Sequence, residues 1–204
     1  YVMKKHIFLF VAVIFTATAI SAQSDTVYGT FWKPKPRNYE VKQAFEVESL
    51  VPMFFTGGYH FAVCYRYNKF RFRTSIINGG TYNADAQAIG DIDEGYKRCH
   101  TRSPVFFFGY NVWKNLELYG YYERHTFEVE QMATGEKQDL PSNDFGIGIS
   151  YQFFMGRTFY IQPGIHSYFR AQQSISFTNG GTYTIPTFEL SPVVRIGARL
   201  WRKY

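Results

Sequence analysis

The feature that most constrains the fold is an alternation of apolar and polar residues that recurs through most of the chain. Between Tyr59 and Tyr67 the odd-numbered residues are Tyr, Phe or Val, while the even-numbered ones are His, Ala, Cys and Arg. The pair Asn68-Lys69 then leads into a second alternating segment that begins at Phe70. A period of two predicts β-strands, and a two-residue connection between two such strands predicts a hairpin.

The same pattern predicts eight antiparallel strands. They are residues 44–53, 59–67, 70–76, 106–112, 116–123, 145–153, 159–170 and 188–200. Short connections at 68–69, 113–115 and 155–157 alternate with long ones at 78–103, 131–143 and 178–186, with the short 56–58 as an exception on the long side. The alternation slips between Arg124 and Glu130, which predicts either a bulge or a stretch that lies beyond the membrane.

Composition excludes several classes of protein. Aromatic residues make up 20% of the chain and charged residues 19%, which is unlike a disordered protein. Two cysteines in 204 residues are too few for a disulfide scaffold or a cysteine-rich zinc module. The chain after residue 22 contains no second apolar run long enough for a spanning helix, so any membrane insertion must use strands.

The first residues have the pattern of a secretory leader. Lys4 and Lys5 precede an apolar run from Ile7 to Ile20, and Ser21-Ala22-Gln23 offers a cleavage point after Ala22. We therefore expect a signal peptide at 1–22, an N-terminal arm at 23–40 and a β-barrel at 41–204. Loss of the leader lowers the net charge from +6 to +4, a modest balance that favours anionic headgroups over nucleic acid as neighbours.

The predicted strands suit a membrane barrel better than a soluble one. Short turns at one rim and long connections at the other are typical of outer-membrane barrels, and an even strand number places both termini at the short-turn rim. A soluble barrel or sandwich is the alternative, but its surface would not carry so continuous an aromatic face. Aromatic residues also collect near both predicted rims, as anchors at headgroup level do: Tyr65, Tyr67, Phe70, Trp113, Phe153 and Phe159 at one, and Phe55, Tyr59, Tyr122, Phe145 and Phe188 at the other.

The C-terminal segment supports a resemblance to a known group. Residues 195–204, Arg-Ile-Gly-Ala-Arg-Leu-Trp-Arg-Lys-Tyr, are similar to the alternating, aromatic-terminated last strand that barrel assembly machinery reads. The chain after the leader resembles the small eight-stranded barrels of the OmpA/OmpX-like superfamily. That resemblance implies the outer membrane of a Gram-negative cell, with lipid and lipopolysaccharide as neighbours and the barrel assembly machinery as a partner. Such proteins are functionally diverse, so the resemblance does not name an activity.

The inward faces of the predicted strands carry charges of both signs. Pairing Phe55 with Tyr59 would place Glu48 opposite Arg66, and pairing Tyr67 with Phe70 would place Arg66 opposite Arg71. Closure of the last strand against the first would bring Arg195 and Arg199 near Glu46 and Glu48. We expect a lumen charge cluster of Glu46, Glu48, Arg66, Arg71, Arg73, Glu117, Arg195 and Arg199 that plugs a barrel only wide enough for its own side chains. A gated or selective pore is the alternative.

Three histidines also project inward in this prediction: His60, His125 and His166. They lie on three non-adjacent strands without a ligand-like spacing, so we expect separate hydrogen-bonded side chains and no metal or cofactor. A metal site or a pH switch is the alternative. His166-Ser167 is the nearest approach to a lipid hydrolase pair, but adjacent strand residues face opposite sides, so no catalytic residue is predicted.

Two further features concern the connections. Asp91, Asp93 and Glu94 form an acidic loop without a full calcium-loop pattern, so a solvated loop is expected. Cys64 and Cys99 are predicted to lie too far apart for a disulfide.

The sequence therefore favours a monomeric, non-enzymatic outer-membrane β-barrel with a charge-plugged lumen. Its long outer loops, with 79–103 the largest, would serve envelope integrity, adhesion or docking to an extracellular or envelope protein. A narrow porin-like channel for small solutes is the second interpretation, and a lipid A-modifying enzyme is the third.

Overall fold

The computed structural model describes residues 37–83 and 95–204, and within them the chain is almost entirely β-strand. The leader at 1–22, most of the arm and the acidic loop at 91–94 lie outside the described residues. A 3-10 turn at Asn38–Glu40 precedes the first strand. The strands are β1 (Gln43–Leu50), β2 (Tyr59–Tyr67), β3 (Phe70–Asn83), β4 (Tyr96–Trp113), β5 (Leu116–Gln131), β6 (Lys137–Tyr151), β7 (Phe153–Met155), β8 (Phe159–Phe169), β9 (Ser174–Ser176), β10 (Thr182–Thr184) and β11 (Phe188–Lys203), with one helix α1 (Val51–Phe55).

The strands close into a ring. Neighbours pair antiparallel in the order β1-β2-β3-β4-β5-β6-β8-β11, and β11 also pairs with β1. The short β7 continues the path of β6 and pairs with β8. The ring therefore has eight positions without a free edge, and the all-β barrel predicted from the sequence is confirmed.

The tight hairpins turn at the predicted places, although Trp113 pairs with Leu116 and leaves a two-residue turn where 113–115 was expected. Asn68 has φ 53° and Lys114 has φ 50°, the left-handed conformation that two-residue hairpin turns require. Gly156 has φ 71° in the turn between β7 and β8. The register across β2 and β3 pairs Tyr67 with Phe70 and Arg66 with Arg71, as expected. We call this rim, which also holds the start of β1 and the end of β11, the short-turn end.

The first strand ends earlier than its apolar pattern predicts. We expected it to reach Met53, but residues 51–55 form α1, with Pro52 in the first helical turn, where its missing N–H costs nothing. The helix shifts the pairing, so Glu48 lies opposite Ala62 and Arg66 lies opposite Ala44. The predicted juxtaposition of Glu48 and Arg66 is therefore wrong.

The opposite rim is built of longer strands than predicted. The described residues of the expected connections at 78–103 and 131–143 are largely strand, because β3 runs to Asn83 while β4, β5 and β6 extend far past their predicted ends. Burial alternates along β5 without a slip from Glu117 to Gln131, so the predicted bulge is also wrong. The connection between β8 and β11 begins before the expected 178–186 and holds the small hairpin β9–β10. We call this rim the extended end.

The barrel exposes apolar side chains and buries charged ones. Large exposed hydrophobics lie on the outside of most strands, among them Phe61, Phe72, Phe106, Phe108, Leu118, Phe145, Ile147, Phe159, Ile165, Ile196 and Leu200. The fully buried side chains include Arg66, Arg71, Arg98, Arg195 and Arg199. No helix among the described residues is long and apolar enough to cross a membrane.

Candidate functional site

The lumen near the short-turn end holds most of the predicted charge cluster, placed there by the inward residues of β1, β3, β5 and β11. We define the Arg71 layer as Glu46, Glu48, Arg71, Arg73, Glu117, Arg195 and Arg199; all seven side chains are buried. Each strand supplies alternate residues to the inside, so Glu46 and Glu48, like Arg71 and Arg73, are stacked along one face.

Arg71 is the centre of this layer. Its Nε donates to Glu46 Oε2 at 3.0 Å, and its Nη2 donates to Glu48 Oε2 at 2.8 Å. Its Nη1 donates to Glu117 Oε2 at 3.1 Å and to Gln162 Oε1 at 3.1 Å. One planar guanidinium therefore links carboxylates from two sides of the barrel, which a single ammonium could not do in this geometry.

The remaining arginines share the same three carboxylates. Arg73 pairs with Glu48 and, at 3.1 Å, with Glu117. Arg199 Nη2 lies 2.8 Å from Glu46 Oε1, and Arg195 Nε lies 3.8 Å from Glu48 Oε1. The contacts of Arg195 and Arg199 span the closing seam between β1 and β11. The layer contains four arginines and three glutamates, and every charged side chain in it has a partner of opposite sign.

Arg66 is the one predicted member that lies apart from the acids. Its Nε donates to the Asn68 carbonyl at 2.9 Å, and its Nη2 donates to the Tyr39 carbonyl at 3.2 Å. Arg199 also donates to the Asn38 carbonyl at 3.2 Å. The 3-10 turn is thus held across the short-turn opening by two lumen arginines.

Polar and aromatic side chains that the sequence reasoning missed complete the packing. Tyr160 donates to Glu48 Oε2 at 3.0 Å, and Gln162 donates to Glu117 Oε2 at 2.7 Å. Glycines make room for them: a Cβ on Gly197 would lie 2.3 Å from the Tyr160 ring, and one on Gly109 would lie 2.0 Å from Glu117 Oε1. Side chains of the layer therefore contact one another across the lumen.

An aromatic layer follows toward the middle of the barrel. Val105, Phe107, Tyr119 and Tyr121 form a buried cluster, with Tyr168 packed against it. The lumen histidines flank this region as separate groups. His60 accepts the Leu50 backbone N–H at its Nδ1 at 3.0 Å, whereas His166 contacts the Tyr168 hydroxyl through Nε2. No described contact joins His60 or His166 to His125.

Ser167 does not form a catalytic pair with His166. Its hydroxyl donates to the Ile147 carbonyl at 3.1 Å, and the register pairs Ser167 with the exposed Leu190 but His166 with the buried Ser191. Cys64 is a buried free thiol near the Arg71 layer, and Cys99 is a half-buried free thiol on β4.

A second polar layer, which the sequence reasoning did not find, surrounds His125. We define the His125 layer as Arg98, Glu123, His125, Asp144, Arg170 and Glu189; all six are buried. Arg170 lies 2.6 Å from Asp144 and 2.7 Å from Glu189, and Arg98 also pairs with Glu189. Glu123 and His125 have the same odd-numbered spacing as the inward residue Glu117, which was the available signal, but the apolar pattern beyond Arg124 obscured it.

His125 lies between two carboxylates. Its Nδ1 is 3.2 Å from Glu123 Oε1, and its Nε2 is 3.2 Å from Asp144 Oδ2. His100 packs beside it, with 5.7 Å between the two ring centroids. Histidine and carboxylate groups from three strands therefore meet at one depth, a combination that can hold either a proton or a metal ion.

The extended end is closed by an apolar cluster that we call the cap: Tyr96, Phe127, Val129, Leu140, Phe177, Tyr183 and Ile185. The cap lies between the extended strands and the β9–β10 hairpin. Glu136, in the β5–β6 turn, accepts hydrogen bonds from the Thr178 backbone N–H at 3.0 Å and from its hydroxyl at 2.8 Å, which fastens the hairpin loop to the turn.

Comparisons with known proteins add little to this description. No protein-family model matches the chain, and no curated protein matches it. One similar solved structure is the crystal structure of Neisserial surface protein A (NspA), which is 11% identical. The match covers 77% of this chain and 93% of that one, with a TM-score of 0.39. The barrel assignment therefore rests on the strand pairing of the chain itself.

Proposed function

We propose that this chain is an integral outer-membrane β-barrel of the OmpA/OmpX-like kind, without enzymatic activity, whose lumen is plugged. The observation that carries the proposal is the polarity of the barrel wall. Exposed side chains such as Phe106, Phe108 and Ile147 occupy its outside, while seven charged groups of the Arg71 layer occupy its inside. This arrangement suits a wall that faces hydrocarbon, because a closed barrel leaves no backbone group unpaired there.

Strand lengths agree with this proposal. The nine residues of β2 extend about 30 Å at roughly 3.3 Å per residue. With the tilt of roughly 35–45° usual in such barrels, that length spans about 21–25 Å along the barrel axis, close to the height of an apolar band of about 25 Å. The sixteen residues of β5 overshoot the band, and its outward residues change from Leu118 to Arg124, Glu128 and Glu130. The extended end would then stand in water, outside the cell.

The Arg71 layer favours a plug over a channel. Its arginines and glutamates are paired with each other and with Tyr160 and Gln162, so an ion entering the lumen would have to displace those contacts. The work of the protein would then lie at the extended end, as a structural element of the envelope or as a docking surface for an envelope or extracellular protein. Lipid, lipopolysaccharide and the barrel assembly machinery are the neighbours such a protein would have.

Reconstitution into lipid vesicles and planar bilayers tests this proposal. The refolded chain is expected to float with vesicles and to give no steady current. Arg71→Ala should open a conductive path, because the central guanidinium fills the space among three carboxylates. Lys69→Ala, an exposed change in the β2–β3 turn, is the matched control and should stay silent. Steady current through the unaltered chain that changes in Arg71→Ala would establish the narrow channel instead. Failure to float would overturn the membrane location.

A further inference from the structure

We propose that His100, Glu123 and His125 form a binding site for a divalent transition-metal ion of the zinc class in the extended half of the lumen. One ligand atom from each residue lies within 4.8 Å of the others. The three come from two adjacent strands, with His100 on β4 and Glu123 and His125 two residues apart on β5. The proposal does not depend on the location or the transport properties of the barrel.

The geometry is close to what a tetrahedral ion requires. Metal–nitrogen and metal–oxygen bonds of about 2.0–2.2 Å place neighbouring ligand atoms roughly 3.4 Å apart. The Nδ1 of His125 and Oε1 of Glu123 already stand 3.2 Å apart. A ring nitrogen of His100 lies within 4.8 Å of a ligand atom of each of these two residues, and its ring centroid lies 5.7 Å from that of His125.

The surroundings of His125 supply a second, independent indication. If Nδ1 of His125 binds the ion, its Nε2–H points to Asp144 Oδ2 at 3.2 Å. A carboxylate that accepts the far N–H of a ligating histidine is the usual support of a zinc site, since it fixes the ring and raises its basicity. Asp144 is itself held by hydrogen bonds from Ser142 Oγ at 2.6 Å and Arg170 Nε at 2.9 Å.

The nearby arginines do not make the site repulsive to a cation. Arg98 is paired with Glu189, and Arg170 is shared between Glu189 and Asp144. Glu123 is left to balance a positive charge at His125. Without an ion, His125 needs a proton on both ring nitrogens to donate to Glu123 and to Asp144. A bound dication would replace the proton on Nδ1. The competing interpretation is therefore a protonated histidine held by two carboxylates.

An approach to the site is present in the wall. The β4–β5 pairing is interrupted between His100 and Val105. A cavity of about 470 Å³ lies at this level, and its lining includes His125, Thr126, Ser142 and Gln173. Two imidazoles with one carboxylate favour zinc, copper or nickel over magnesium or calcium, which prefer ligand sets made only of oxygen.

Calorimetric titration of the refolded full chain with Zn²⁺ tests the proposal, using protein purified without a polyhistidine tag and treated with a chelator. We expect one high-affinity ion per chain that is insensitive to excess Mg²⁺. His100→Ala and Glu123→Gln should each weaken binding at least tenfold, and Asp144→Asn about 10–100-fold, as the loss of a supporting carboxylate does. His60→Gln is the matched control, since it removes a lumen histidine elsewhere and should leave the affinity unchanged.

A measurement on the unaltered protein covers the case in which the variants fail to fold. Zn²⁺ should shift the side-chain nitrogen resonances of His100 and His125 and leave those of His60 and His166 in place. Absence of binding, or binding that His100→Ala does not weaken while the chain remains folded, would overturn the site and favour the protonated His125. Shifts at His60 or His166 in place of the expected pair would overturn it as well.

Discussion

The two ends of β5 place residues of opposite polarity on the same face of the barrel wall, although the side chains alternate in the same way along the whole strand. Near the short-turn end, Leu118 faces out and Glu117 faces the lumen; near the extended end, Glu128 faces out and Phe127 is buried in the cap. The direction in which the side chains point is unchanged along the strand, but the polarity of each face is reversed. The comparison teaches that one barrel wall can meet two solvents, with hydrocarbon against the proposed membrane band and water beyond it.

The two ends also differ in how their interiors are stabilised. Buried charges in the Arg71 layer depend on each other, so the removal of one member takes an ion-pair partner from several others at once. The cap is held by apolar burial, and the loss of one side chain costs its transfer free energy together with the cavity that it leaves. A substitution in the Arg71 layer should therefore destabilise the whole barrel, whereas a substitution in the cap should destabilise only the extended end.

The largest expected effect follows from removal of the Arg71 guanidinium, which tests whether the charged layer stabilises the whole barrel. Arg71→Met keeps much of the volume but leaves Glu46, Glu48 and Glu117 without their shared donor. Removal of one partner from a buried ion pair costs about 3–5 kcal/mol, and we expect a global loss of that order. Equilibrium unfolding in urea with the chain in lipid vesicles measures it.

Arg124→Met is the control for that experiment, because Arg124 is exposed on the outside of β5. Its effect should be under about 0.5 kcal/mol. Equal losses in the two variants would mean that the Arg71 layer contributes nothing specific to stability.

The second change addresses the cap. Phe127 is 1% exposed and belongs to this cluster, so Phe127→Ala should cost about 3 kcal/mol locally. Hydrogen exchange should quicken in the ends of β5 and β6 and in the β9–β10 hairpin, while amides around the Arg71 layer keep their protection. Phe106→Ala, on the exposed outer face of β4, should leave the cap protected. Loss of protection throughout the barrel would contradict the independence of the two ends.

The reversal of polarity explains which parts of the fold could be predicted from sequence. The hairpins around Asn68 and Lys114 were predictable because outward apolar residues alternate there with polar ones and tight turns join them. The extension of β5 to Gln131 was not, because Phe127 and Val129 place apolar residues on the other face and imitate a slip. Helix α1 was missed because its run of apolar residues fits a strand equally well.

The two charged layers of the lumen likewise differ in how far they could be predicted from the sequence. The Arg71 layer follows from alternation and ring closure, both of which are visible in the pattern. Arg66 was predicted to join it but does not, because its partners are backbone carbonyls at the rim. The His125 layer depends on strands whose extension was not predicted. Its contact with His100 depends further on the interruption of the β4–β5 pairing after His100, and no spacing rule encodes such a break.

The smallest expected effect concerns the fastening between the β5–β6 turn and the hairpin. The pKa of Glu136 is held below its usual value near 4.5 by hydrogen bonds from Gln138 first and then from the Thr178 hydroxyl and backbone N–H. A carboxyl whose pKa is lowered in the folded state adds stability above its unfolded pKa and loses that contribution as the pH falls through the folded value. Exchange of the Thr178 amide, corrected for its intrinsic pH dependence, should therefore quicken below about pH 4.5 while the cap stays closed.

Glu136→Gln should remove that pH dependence, because its amide does not titrate and accepts weaker hydrogen bonds than a carboxylate. Asp139→Asn, which changes an exposed carboxylate on β6, should preserve it. A pH response that survives in Glu136→Gln would place the titrating group elsewhere. If the cap opened together with the Thr178 contact, the hairpin would be held by the carboxylate. If the cap stayed closed, Phe177 and Tyr183 would be holding the hairpin through apolar burial alone, as the contrast between the two ends of the barrel requires.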